Sequence, residues 1–177
     1  VQAMAKTSDI TPVEVALHFL PVQTRAPLKF GTEVLTSVAC SRARMVVQTR
    51  DGRMAEGWGE TPLSVQWVWP STLSYDVRRQ ALEDFSLLLA RAWRDWEGWG
   101  HPMEVGGDFL FERLPVLLAE FNATQRSGAE PMPWLAALVC CAPFDIALHD
   151  AFGMVHDIPV YQTYNARWMN RDLATWL

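Results

Sequence analysis

Several acidic, imidazole and thiol groups in this chain sit close enough in sequence to suggest shared chemistry. Glu56 and Glu60 fall on one face of a strand-like run with Met54 and Trp58, and paired carboxylates commonly serve acid–base catalysis. Four strand residues separate them by about 13 Å of rise, so they cannot share one substrate atom and read as surface or loop-base groups. His149 and His156 are seven apart. On one continuous helix they share a face but stand about 10 Å apart along it, so a shared metal requires the helix to end between them, which Gly153 permits. Cys140 and Cys141 point about 100° apart on a helix, which suits core filling better than chelation. Asp145 and Asp150 read as structural groups that bond backbone or Arg.

The bulk properties remove further classes. The net charge is −5 and no Lys/Arg run exceeds two residues, so a nucleic-acid footprint is absent. Three cysteines, Cys40, Cys140 and Cys141, form no metal-ligand spacing and no even-numbered disulfide framework, which favours a reducing compartment, with cytoplasm as the expected location. The start, Val1-Gln2-Ala3-Met4-Ala5-Lys6, has no charged leader before an apolar core, and it suggests an edited or processed beginning. No uninterrupted apolar run approaches membrane-spanning length. Half of the residues are hydrophobic and nine are Trp, so the chain is expected to bury a real core as one domain.

The positioning elements follow from periodicity. Val13, Val15, Leu17 and Phe19 alternate with Glu14, Ala16, His18 and Leu20, a period of two that predicts a strand. A longer run, Val34 to Thr49, places Ala39, Ser41, Ala43, Met45 and Val47 on one face and Val38, Cys40, Arg42, Arg44 and Val46 on the other. Asp51-Gly52 supplies a turn, and Arg53 to Glu60 returns antiparallel. Ser71, Thr72 and Ser74 are possible caps. The next pattern, Tyr75 to Glu97, repeats Leu82, Phe85, Leu88, Leu89, Ala92, Trp93 and Trp96 at steps of three and four, with Arg78, Arg79, Glu83, Arg91 and Asp95 assigned to the polar side. Asp108 is expected to cap a helix carrying Leu114, Leu117, Leu118 and Phe121, with a break or restart at Pro115. An apolar helical region then runs from Trp134 to about Val155, divided by Pro143 or holding it in the first turn of a second half. Trp93, Trp96 and Trp99 suit core or interface packing. Strands first and helices after give an α+β class: a three-stranded antiparallel meander followed by a helical bundle. The expected organisation is a tail over 1–12, one domain over 13–165 with its sheet at 13–61 and helices at 72–165, and a linker or further start over 166–177.

One ordered set of segments carries a resemblance. Arg25-Ala26-Pro27-Leu28-Lys29-Phe30-Gly31 precedes Asp51-Gly52-Arg53-Met54-Ala55-Glu56-Gly57-Trp58-Gly59-Glu60. Phe144-Asp145-Ile146-Ala147-Leu148-His149-Asp150-Ala151-Phe152-Gly153 and Ile158-Pro159-Val160-Tyr161-Gln162 follow. In that order they resemble the amino-terminal capping region of the mandelate racemase and muconate lactonizing branch of the enolase superfamily, over roughly residues 13 to 165. The sequence departs from many relatives at His149, Met154 and Thr163-Tyr164-Asn165-Ala166.

The resemblance implies a capping domain that accompanies a (β/α)8 barrel, and such a barrel needs about 250 residues, more than this chain has left. It implies Mg²⁺ and a Lys or His base in the complete enzyme, acting next to a substrate carboxylate by racemisation, dehydration or cycloisomerisation. The base and metal ligands come from the barrel, and none is assigned here: the only lysines are Lys6 and Lys29, so no Lys-x-Lys exists. This segment alone is expected to be inactive and to need no cofactor. The resemblance carries substrate contact to two loops, Thr24 to Leu35 and the segment after Gly59-Glu60. Lys29 would meet a substrate carboxylate, Phe30 would form an apolar wall and Thr61 would donate a hydrogen bond. The plainer reading leaves Lys29 solvated and Phe30 packed on the sheet. Expected partners are a carboxylate small molecule held together with the barrel and a possible second copy, with no nucleic acid and no membrane. The alternative is a non-enzymatic α+β binding or protein-interaction module.

Overall fold

The alternation along the longest sheet strand decides which way the sheet faces. Ser41, Ala43, Met45 and Val47 are fully buried, while Arg42 and Arg44 reach solvent on the opposite side. This computed structural model describes residues 5–30 and 33–176, apart from the side chains of Phe30 and Glu33. Strands β1 (Ile10–Phe30), β2 (Glu33–Thr49) and β3 (Met54–Pro62) form one antiparallel sheet in the order β1-β2-β3. Helices α1 (Val65–Val68), α2 (Tyr75–Arg94), α3 (Pro102–Asp108), α4 (Leu114–Thr124) and α5 (Trp134–His156) follow, so the fold is α+β with the meander first.

Strand β1 begins at Ile10, earlier than its side-chain alternation indicates, because Ile10 exchanges backbone hydrogen bonds with Gly100 at 3.0 and 3.1 Å. It also runs ten residues past Leu20. Between the pairs Gln23–Ser37 and Leu28–Leu35, β1 carries four residues opposite one of β2. This bulge holds Thr24 to Pro27, where the missing proline N–H costs no ladder bond. The hairpin therefore continues beyond the end of β3.

Three helical expectations are corrected. Arg78 is buried and not on the polar side. It lies four, seven and eleven residues before Leu82, Phe85 and Leu89, hence on their stripe, and its guanidinium donates to the Trp69 carbonyl at 2.6 Å. Asp108 does not cap a helix. The cap is His101, with Pro102 in the first turn and Glu104 closing a reciprocal capping box. The chain then passes through a π-helical turn, Phe109–Arg113, and restarts at Leu114 with Pro115 in the first turn, where its missing N–H is harmless. Pro143 does not divide α5, which is continuous from Trp134 to His156. An interior proline costs about 3 kcal/mol, and here the packing of α5 under the sheet outweighs it.

Helix α5 is long and apolar enough to cross a membrane by composition alone. It is apolar on several sides because it has several buried neighbours: it packs against β3, β2 and α2, and its Ala137, Phe144, Ala147, Leu148, Ala151 and Phe152 are fully buried. Trp93 stacks on Phe109 at 3.9 Å between ring centroids, and Trp96 meets the same ring edge-on. Trp99 is partly exposed beneath Arg50.

Residues 166–176 lie against the amino-terminal segment and α3. Lys6 Nζ donates to the carbonyls of Ala166 and Met169. The buried Glu104 carboxylate accepts from the backbone N–H groups of His101 (2.9 Å) and Arg171 (2.6 Å) and from Asn170 Nδ2 (3.0 Å). Arg171 makes a two-pronged pair with Asp108 at 2.7 and 2.8 Å. Glu104→Ala strands three donors, two of them backbone, and is expected to cost about 3 kcal/mol, against about 1 kcal/mol for Glu104→Gln. Urea unfolding of the two variants checks this, and equal midpoints would refute it.

Candidate functional site

Two of the segments that carry the resemblance, Asp51–Glu60 and Phe144–Gly153, meet in space, and their contact is packing before it is chemistry. Gly57 and Gly59 sit on the face of β3 turned toward α5. A Cβ at Gly57 would fall 2.1 Å from the Ala151 nitrogen, and one at Gly59 would fall 2.1 Å from the Pro143 carbonyl oxygen. The helix backbone thus lies directly on the strand. Asp150 completes the joint by accepting the Trp58 backbone N–H at 2.9 Å, which satisfies a donor on the free edge of β3. That is the structural role expected of it.

Asp145 differs from that expectation. Among the described residues no hydrogen-bond donor reaches its carboxylate, and the nearest cationic group, His149 Nδ1, is 3.7 Å away. That Nδ1–H instead donates to the Asp145 backbone carbonyl at 2.8 Å. His156 Nε2–H donates to the Ser8 carbonyl at 3.0 Å. Because α5 does not end between them, the two histidines stay apart as structural donors.

On the outer face of the sheet Glu56 and Glu60 are held by different arginines. Arg44 bridges Glu14 at 2.8 Å and Glu56 at 2.7 Å, and Arg42 holds Glu60 at 2.6 Å. The Arg44 hydrogen bond, followed by one from the Trp58 indole, holds Glu56 below the usual carboxylate range. These groups are solvent-screened ion pairs. The three thiols are buried. Burial pushes Cys140 and Cys141 up to about 12, so neither supplies a thiolate nucleophile near neutral pH.

His101 is the buried titratable group that the motif reading passed over. It is fully enclosed, with Phe152 edge-on at 4.8 Å. Its Nδ1 accepts from Met103 N–H at 3.2 Å, so the neutral ring carries its proton on Nε2 and donates to Thr163 Oγ1 at 2.8 Å. The Thr163 hydroxyl in turn donates to the Val160 carbonyl. Burial, reinforced by His149, His156 and Lys6, drives its pKa down to about 3. The sequence His101-Pro102-Met103-Glu104 held the signal, a cap, a first-turn proline and a capping-box acid.

Of the residues assigned to substrate contact, Lys29 and Thr61 lie toward the hairpin end of the sheet but do not form one cluster. Lys29 is exposed near the hairpin tip and pairs with Val34. Thr61 is half-buried at the end of β3, pairs with Ser41, and precedes Leu63, whose N–H binds the Ala39 carbonyl at 2.8 Å. Seven steps of β2 separate these pairs, about 23 Å along the strand. The side chain of Phe30 lies outside the described residues. Among the described residues no group of three His, Cys, Asp or Glu side chains could hold a metal ion.

No family model matches the chain, and no curated relative matches it. Solved structures do. A dipeptide epimerase from Enterococcus faecalis V583, in complex with Mg and L-Leu-L-Tyr, aligns with 88% of this chain and 35% of its own at 13% identity and a TM-score of 0.49. An L-talarate/galactarate dehydratase from Salmonella typhimurium LT2 aligns over 90% and 34% at 22% identity and 0.45. A mandelate racemase/muconate lactonizing protein from Herpetosiphon aurantiacus aligns over 88% and 34% at 11% identity and 0.40. The chain spans about a third of their length.

Proposed function

We propose that this chain is the capping and substrate-specificity part of a Mg²⁺-dependent enolase-superfamily enzyme of the mandelate racemase and muconate lactonizing branch, acting on a carboxylate substrate. The observation that carries the reading is the joint between the ordered sequence segments. The glycines of one pack on the alanines of the other, Asp150 ties them, and the β1–β2 hairpin, which continues past β3, lies toward the same end of the sheet as Thr61. Loops on a rigid scaffold are where binding groups concentrate. In this reading Lys29 meets the substrate carboxylate, Phe30 adds an apolar wall and Thr61 donates a hydrogen bond.

Mg²⁺ does not fit on the described residues of this chain. The described carboxylates and imidazoles do not converge, whereas Mg²⁺ takes hard oxygen ligands in a near-octahedral set. In this reading the ion, the base and the proton transfer belong to a barrel outside these 177 residues, and the chain alone is inactive.

The decisive test is to read the coding frame past Leu177 and express the whole product. The frame is expected to continue into a barrel with a Lys or His base and spaced strand-end acids. In that enzyme Lys29→Ala should raise KM for the carboxylate substrate about tenfold, a loss of about 1.4 kcal/mol, with kcat little changed. A stop codon at that point, or α-proton exchange into D₂O by the purified chain alone, would overturn the reading. The stop codon would favour the binding module.

A further inference from the structure

A cavity of about 350 Å³ lies between α3, its π-helical turn and α5, and its lining includes no sheet residue. Its walls are apolar, formed in part by Trp93, Leu110, Leu138 and Trp176, with one carboxylate, Asp145. Two adjacent glycines make the room. The Asp145 carboxylate oxygen sits 2.4 Å from where a Cβ of Gly106 would be, and the Trp176 ring occupies the corresponding position over Gly107. Any other residue at either position would displace a wall of the cavity.

The polar groups lining this cavity make no conventional hydrogen bonds to nitrogen or oxygen among the described residues. The Asp145 carboxylate accepts no hydrogen bond among the described residues, and the near cationic group, His149 Nδ1, stands 3.7 Å away with its proton on a backbone carbonyl. Half of the Asp145 side-chain surface is open to water, yet its crowded surroundings raise its pKa above the usual carboxylate range. Trp93 is fully buried, and its indole N–H meets only the weakly accepting Cys141 sulfur, with no nitrogen or oxygen acceptor among the described residues. The Trp176 indole N–H is buried and unpartnered as well. Arg171 stacks over the Trp176 ring at 4.7 Å, but its charge is committed to Asp108. A half-exposed carboxylate that accepts no hydrogen bond, beside aromatic walls, is the complement of an organic cation, and a buried donor without an oxygen acceptor favours a ligand that brings one.

We propose that this cavity binds an organic ammonium ion with an aromatic body, its N–H groups on the Asp145 carboxylate, its ring against the indoles, and an oxygen acceptor for an indole N–H. The site stands apart from the proposed capping role and holds whether or not that reading does.

Tyramine is the probe, with tyrosol as its neutral isostere and 4-hydroxyphenylacetate as its anionic counterpart. Calorimetric titration of this chain is expected to give saturable one-to-one tyramine binding with Kd near or below about 1 mM, tyrosol at least about tenfold weaker, and no saturation with the acid. Asp145→Asn should weaken tyramine at least about tenfold and leave tyrosol unchanged. Leu138→Trp, which keeps the carboxylate and fills the cavity, should abolish binding of both. Equal affinity for tyramine and tyrosol, unchanged tyramine binding by folded Asp145→Asn, or no saturation by about 10 mM tyramine would each overturn the proposal. Should Asp145→Asn not fold, the three-compound series on the unaltered chain decides it.

Discussion

Gly57→Val is expected to prevent folding, with a loss of more than about 4 kcal/mol, and Gly59→Val to do the same. At Gly57 the new Cβ would lie 2.1 Å from the Ala151 nitrogen and 2.4 Å from the Ala147 carbonyl oxygen. Both are backbone atoms of α5, so no rotamer change relieves the overlap. Relief requires lifting a 23-residue helix off the sheet, which opens the contact on which Phe144, Leu148 and Phe152 depend for their burial. Met54, on the opposite face of β3, is exposed, so Met54→Ala should stay within about 0.5 kcal/mol. Far-UV circular dichroism with thermal melting distinguishes these cases. A Gly57→Val chain that melted cooperatively within a few degrees of the unaltered protein would show that α5 does not rest on this strand.

The second large effect is a loss of stability in mild acid, traced to His101. Its folded pKa of about 3 lies far below the ordinary value of 6.5 because burial excludes the imidazolium. Between those values the unfolded chain holds a proton that the folded chain does not, so stability rises with pH. The contribution is fully present above about pH 6.5 and is lost progressively as the pH falls toward 3. From pH 7 to pH 5 the loss from this group amounts to about 2 kcal/mol. Protonation also removes the Nδ1 acceptor that holds Met103 N–H and so breaks one half of the cap on α3. Urea midpoints at pH 7 and pH 5 measure the effect. His101→Asn, which keeps a side-chain acceptor at the cap without a titrating ring, should be less stable at pH 7 and should flatten the slope. A slope unchanged in that variant would assign the acid sensitivity to other groups.

Both effects arise from residues that do no chemistry, and this bears on how the ordered segments are understood. Gly57-Trp58-Gly59 and Ala147-Leu148-His149-Asp150-Ala151 belong together because a helix can approach a strand this closely only where both surfaces lack bulk. Lys29 and Thr61 lie on the elements that this joint orients, one on a hairpin that outruns β3 and the other where β3 ends.

What the sequence determined by itself is local and periodic. Two-residue alternation through Ser41 to Val47 marked the strand and both of its faces, Asp51-Gly52 marked the hairpin, and the steps of three and four through Leu82, Phe85 and Leu89 marked α2. These patterns reflect the geometry of a single element against one apolar side. The tertiary structure decided what depends on a second element. It kept α5 unbroken through Pro143, since burial on both sides outweighs one missing hydrogen bond. It turned Arg78 inward to a carbonyl from another segment and placed α3 behind a histidine cap that a distant threonine stabilises. It left Asp145 facing a cavity where the sequence suggested a bonded structural acid, because whether a carboxylate finds a partner depends on what folds over it, and residue order alone does not contain that.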